Sequence, residues 1–359
     1  MRGTHHDVRY RRREFLSGLA AAGAVALVPD VLKGAQAPLP PATPGRRIVD
    51  THYHYASPAY SDVLRPMGTG QTGLIEWHET KALEDMDRYG VATSMLSISE
   101  PGVHFGDDAK ARALARDCND FGAKLIAKYP GRFGLFAILP LPDVDGSLKE
   151  IAYAYDTLKA DGICFMSSYP NPGKYQGNKY LGDPLFTPVM EELNRRRAIA
   201  YTHPFRAEPL YNILPDRRAM GIVLSTDTTI TIQSILYTNT ATRFPDITFI
   251  WSHGGGVMPY ITSRLGAGTG PDGTPNATLA TLQRFYYDTA QAFNPFTLEG
   301  FTKLVPNSHI LFGSDYLGNA GSAGNVVRGL ESYTGFTPSQ LRAVERDNAV
   351  ALFPRLGRV

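Results

Sequence analysis

The chain has 359 residues, of which 43% are hydrophobic and 19% charged, the balance of a soluble globular protein with a sizeable core. Its 35 Gly and 26 Pro are spread along the sequence, which indicates many turns rather than a disordered tail. Residues 1–37 carry six basic and three acidic side chains, so the remaining body holds 30 basic and 31 acidic groups, a net charge of −1. That excludes a general attraction to nucleic acid or anionic lipid.

The first segment reads as a targeting signal. Arg11-Arg12-Arg13-Glu14-Phe15-Leu16 precedes an apolar, Ala- and Gly-rich run over 15–28, the order of a basic n-region and a modest h-region. Arg12-Arg13-Glu14-Phe15-Leu16 resembles a twin-arginine export signal. The run is shorter than the ~20 residues that span a bilayer. An uncleaved anchor or a buried helix is the alternative. The reading is a signal peptide over 1–37, a Pro-rich linker over 38–45 and one catalytic domain over 46–359. It places the protein outside the cytoplasm, in the periplasm, delivered by the Tat machinery, with no stable membrane insertion after processing.

From residue 46 onward, short β-rich runs alternate with helical patterns. Strands are expected over 47–50, 92–98, 133–139, 162–167, 198–202, 248–252, 284–288 and 310–313. Helical periodicity runs over 107–129, 145–159, 183–197, 229–243, 294–304 and 337–353. Segment 55–77, after the first strand, looks long and irregular, and is expected to overlie the site. Eight strands separated by helices predict a parallel sheet with crossover connections, closed as a (β/α)₈ TIM barrel. An open doubly wound sheet is the alternative, but no Gly-rich phosphate loop follows any strand. Cys118 and Cys164 show neither metal-ligand spacing nor a disulfide framework, and read as two buried thiols.

Chemistry concentrates at the C-terminal ends of these strands, where barrels build their sites. Strand one ends Asp50-Thr51-His52-Tyr53-His54. Strand five ends His203-Pro204, strand six Ser252-His253-Gly254-Gly255, and strand eight Gly313-Ser314-Asp315-Tyr316. Residues two apart in a strand point the same way, so His52 and His54 can aim two imidazoles at one point. With His203 and Asp315 they make a four-ligand set for one borderline divalent ion such as Zn²⁺. His253 would stand beside it as acid, base or electrostatic partner. A His-x-His in a strand is common without a metal; the convergence of all five groups on one face carries the reading. His104 and Phe105 after strand two, Arg206 after strand five and Phe293 after strand seven are candidate substrate contacts, each with a plain packing or solvated-loop alternative. Asp288 is expected to orient a neighbour, and His78 and His309 to lie on the surface or cap helices.

These motifs, Asp50-x-His52-x-His54, Thr202-His203-Pro204, Ser252-His253-Gly254-Gly255 and Phe312-Gly313-Ser314-Asp315-Tyr316, resemble the amidohydrolase-related branch of aminocarboxymuconate-semialdehyde decarboxylase. So does the ending Asp347-Asn348-Ala349-x-x-Leu352-Phe353. The likeness covers nearly all of 46–355, and segments 97–103 and 134–140 look most like the methylsalicylate decarboxylase relatives. It implies His52, His54, His203 and Asp315 as metal ligands and His253 and Asp315 as catalytic groups. The implied activity is non-oxidative decarboxylation of a small hydroxyaromatic acid, by a homodimer or homotetramer. The leader departs from the branch, whose decarboxylases are mostly cytoplasmic. Metal-dependent hydrolysis of a lactone, ester or amide is the alternative, and an exported non-catalytic binding protein a third.

Overall fold

A computed structural model describes residues 45–67, 72–170, 178–206, 220–317 and 322–358. The leader and most of the linker expected over 1–45 lie outside these residues. Eight strands pair in chain order, each parallel to the next: β1 Ile48–His54, β2 Val91–Ser97, β3 Phe133–Ile138, β4 Gly162–Met166, β5 Ile199–His203, β6 Thr248–Trp251, β7 Tyr286–Asp288 and β8 Ile310–Leu311. The chain just beyond β8 returns to β1. Thr51 N–H donates to Phe312 O at 2.8 Å, Asp315 N–H to His52 O at 2.9 Å and His54 N–H to Tyr316 O at 3.0 Å. A parallel bridge joins Tyr53 and Tyr316. These bonds close the sheet into a (β/α)₈ barrel, which leaves no open edge.

All but one of the residues in β1–β4 are buried, Ala92 being the exception, and so are most of those in β5–β8, as expected for parallel strands covered on both faces. Helices flank them: α1 Glu79–Tyr89, α2 Asp108–Lys128, α3 Val144–Tyr153, α4 Thr187–Arg196, α5 Met220–Tyr237, α6 Ala277–Arg284, α7 Pro295–Leu304 and α8 Ser322–Ser332. Their starts are set by local chemistry. Asp107, Asp143 and Asn294 accept the N–H of Lys110, Gly146 and Thr297, satisfying donors that the helix itself cannot. Cys118 and Cys164 are buried and free.

The departures from the sequence reading are local. Segment 55–77 is not irregular throughout: Ser57 caps a helix over Pro58–Leu64, with proline at its first position, where a missing N–H costs nothing. β7 starts two residues late, because Arg284 ends α6 and donates to Ala241 O at 2.7 Å. β8 ends two residues early, because Phe312 and Gly313 turn toward β1 and Thr289. The helix expected over 229–243 starts at Met220 and breaks at Asn239, which has φ 56°. Helices α1, α6 and α8 are additions to the helices expected from the sequence.

Candidate active site

β1 carries a bulge: three steps along it, from Asp50 to Tyr53, match two on β2, from Ser94 to Leu96. The bulge lies beside the paired histidines. Asp50 secures it, because its Oδ1 accepts His52 N–H at 3.1 Å and Ser314 N–H at 3.0 Å. Burial pushes the Asp50 carboxyl up to about 7. Below the histidines, Tyr201 meets His52 edge-on at 5.6 Å and stacks on Phe136 at 4.9 Å, closing the floor of the site.

Three imidazoles are held by their outer nitrogens. His52 Nδ1–H donates to Asp288 Oδ2 at 2.8 Å. Ser97 Oγ gives its hydrogen to Tyr53 O, which leaves it to accept from His54 Nδ1–H at 3.0 Å. His203 Nδ1–H donates to Pro204 O at 3.0 Å. In each ring the Nε2 lone pair therefore points inward. His52 Nε2 and His54 Nε2 stand only 3.0 Å apart, and Asp315 Oδ1 lies 3.2 Å and 3.4 Å from them. His253 Nε2 donates to the other oxygen, Oδ2, at 3.2 Å.

The backbone also marks the site. His253 and Asp315 adopt φ 52° and 55°, a region that non-glycine residues enter at a cost. Gly254, Gly255 and Gly256 follow with φ of 61°, 80° and 71°. A Cβ on Gly256 would stand 2.1 Å from Ser225 O, so the turn that presents His253 needs glycine there.

The electrostatics call for a cation. Burial opposes charge on His52, but Asp288 and Asp315 raise its pKa to about 10. Burial lowers His54 to about 4, and burial with three neighbouring imidazoles holds His203 well below the usual histidine range. Burial would raise Asp315, yet the charge on His52 and the hydrogen bond from His253 hold it well below the usual carboxylate range. Asp315 Oδ1 is buried without a hydrogen-bond partner. Facing lone pairs beside a carboxylate oxygen that accepts no hydrogen bond fit a divalent ion, which would displace the proton otherwise attracted to His52. Ligand atoms of His52, His203, His253 and Asp315 all lie within 4.8 Å of one another. His54 joins through its contacts with His52 and Asp315, so five groups converge where four were expected as ligands.

Residues 49–355 match the amidohydrolase family Amidohydro_2. The chain belongs to that family. It is 31% identical to the decarboxylase yanB of Aspergillus niger over 86% of this chain and 87% of that one. It is also 31% identical to the 6-methylsalicylic acid decarboxylase of Penicillium expansum, over 86% and 96% of the two chains. A solved structure described as an amidohydrolase II has a TM-score of 0.75 at 27% identity, covering 86% of this chain and 99% of that one.

The four expected substrate contacts are all among the described residues, each with its own surroundings. His104 donates to Asp108 Oδ1 at 2.9 Å and lines a small cavity with Met166, Tyr169 and Phe205. Phe105 is 41% exposed, in an outer groove with Val63 and Met67. Arg206 lies at the barrel mouth with its Nε 3.5 Å from Glu100 Oε1. Phe293 packs against Gly329 of α8. Asp288 orients His52, as its place at the end of strand seven suggested. Ser97 and Gln291, which donates to Asp315 Oδ2 at 3.4 Å, were missed. Ser97 could have been found from its place at the end of strand two; nothing in the sequence singles out Gln291.

Proposed function

We propose that this amidohydrolase-family chain is a metal-dependent, non-oxidative decarboxylase of a small hydroxyaromatic acid. The observation that carries the reading is the convergence of four histidines and Asp315, in a chain that matches a 6-methylsalicylic acid decarboxylase along nearly its whole length. His52, His54, His203 and Asp315 would hold the ion, Zn²⁺ or Mn²⁺. When bound, it supplies a positive charge that fixes and polarises the carboxylate and ortho-hydroxyl of the acid.

The protein's own groups then manage the proton. The His253 Nε2···Asp315 Oδ2 pair holds it within reach of the mouth, since both side chains keep some exposure where His52 and His54 have none. The proton goes to the ring carbon that bears the carboxylate. The C–C bond to the carboxylate breaks, its electron pair restores the aromatic ring, and CO₂ leaves. Burial of the site excludes water that would compete for that proton.

The test is direct. The purified chain, with metal content measured, is given 6-methylsalicylate. Equal amounts of CO₂ and 3-methylphenol, lost on chelation and restored by Zn²⁺ or Mn²⁺, are expected. Opening of a lactone with no CO₂ from any hydroxybenzoate would make it a hydrolase. Export by the twin-arginine route is part of the same proposal, supported by Arg12-Arg13-Glu14-Phe15-Leu16. Replacement of both arginines by lysine should keep the enzyme in the cytoplasm.

A further inference from the structure

Six described residues other than glycine have positive φ. Three end or join helices. Lys159 and Arg197 follow the last helical turns before β4 and β5, and Asn239 separates α5 from a short helix over Thr240–Arg243. That accounts for their conformation. The other three, His253, Gln291 and Asp315, lie beyond β6, β7 and β8 at one face of the barrel, and their side chains meet. Asp315 Oδ2 accepts from both His253 Nε2 at 3.2 Å and Gln291 Nε2 at 3.4 Å.

Gln291 has φ 56° and an exposed side chain, between the buried residues Ala290 and Ala292. The turn is fixed without it. Ala290 N–H donates to Asp288 Oδ1 at 3.0 Å, and Ala292 N–H to Thr289 O at 3.0 Å. A glycine would make the same turn with no steric cost. A long carboxamide kept in this conformation, beside the reacting pair, is strain of the kind that accompanies a binding role.

We infer that Gln291 is a substrate-binding residue, and that its carboxamide N–H holds the carboxylate of the acid. The inference rests on the decarboxylase reading. One N–H of the amide engages Asp315 Oδ2, which leaves the second N–H and the carbonyl oxygen for a ligand. The amide is neutral and can donate, so it receives an anion beside the negative Asp315 without adding charge. A carboxylate at the same place would repel that anion.

The test uses Gln291→Gly, which suits φ 56°, and Gln291→Glu, which keeps the length and adds a charge. Binding of 6-methylsalicylate and of 3-methylphenol is measured by calorimetry on metal-loaded protein, together with steady-state turnover. Both variants should keep the metal content of the unmodified chain. The Kd and KM for the acid should rise about tenfold in the glycine variant and further in the glutamate variant, the loss of one hydrogen bond to a charged group. Binding of 3-methylphenol, which lacks the carboxylate, should change less than about twofold. If both variants bind the acid as the unmodified chain does, or lose the acid and the phenol equally, the assignment is wrong. An unmodified chain that releases no CO₂ from any hydroxybenzoate overturns the decarboxylase reading, and this assignment with it.

Discussion

Asp288 orients His52 through a contact of 2.8 Å between its Oδ2 and the ring Nδ1, and with its other oxygen it accepts the backbone N–H of His253 at 3.0 Å. One buried carboxylate at the end of β7 thus sets both a proposed metal ligand on β1 and the proposed proton-handling group after β6. Replacing Asp288 with Asn keeps the shape, but the amide can turn an N–H toward His52 Nδ1 and reverse the ring's tautomer. Metal affinity should fall about 10- to 100-fold. Competition with a chromogenic chelator measures it; unchanged affinity would mean that His52 is held by packing alone.

Asp315→Ala removes the only carboxylate of the proposed ligand set. The variant should purify with little metal and no turnover, because a methyl group neither ligates nor balances the charge. Mass spectrometry of the metal content decides it, and an amount close to that of the unmodified chain would contradict the assignment.

His253→Ala separates ligand from proton carrier. His253 and His203 both belong to the group whose ligand atoms lie within 4.8 Å of one another, so the two roles are divided by experiment. The metal should remain, while turnover falls by about 10²- to 10⁴-fold. A variant that emptied the site would make His253 a ligand and release one of the other imidazoles for catalysis.

Gly313→Ala should damage the site through shape. A Cβ there would stand 2.8 Å from both His52 Cβ and Asp288 Cβ, between a ligand and the group that orients it. Overpacking of this kind costs about 1–3 kcal/mol. A lower Tm should accompany weaker metal binding; a fall in Tm with normal metal binding would show that the two residues move together.

On the outer surface, stability should depend on pH through Glu192. Arg195 donates to it at 2.7 Å and 2.8 Å and Arg196 at 2.6 Å. These bonds, Arg195 first, lower its pKa from 4.5 to about 2. A depressed carboxylate stabilises the fold above its unfolded pKa and loses that contribution as pH falls toward the folded value. Glu192→Gln should therefore cost at most about 1 kcal/mol, or about 2 °C of Tm, at pH 7. The gap should narrow between pH 4.5 and pH 3. Thermal melts across that range test it, and a gap that widened in acid would reverse the sign.

The parts of the fold legible in the sequence were those with dense, local signals. All eight strands were visible as β-rich runs, because parallel strands are apolar along their length. The convergence of His52, His54, His203, His253 and Asp315 followed from their common place at strand ends. The small helix over Pro58–Leu64 was hidden because its seven residues are too few for apolar periodicity to stand out, although Ser57-Pro58 is a helix start. The four expected substrate contacts rest on nearness in sequence to a strand end, which does not fix where a side chain points. A loop side chain there can turn outward, as Phe105 does, or back onto a helix, as Phe293 does. Gln291 was invisible for a related reason: its contact with Asp315 depends on a left-handed turn, which glutamine in a sequence does not announce.

The seam between β8 and β1 has a consequence for how the enzyme is made. The histidines of β1 and the carboxylate of Asp315 come from nearly opposite ends of the catalytic domain, and the same backbone bonds that close the barrel bring them together. A ribosome that has released the first seven strands has delivered four imidazoles but not the proposed carboxylate ligand. Assembly of the complete centre therefore waits on the last stretch of translation, and a chain cut short before residue 310 lacks both the closing strand and a ligand.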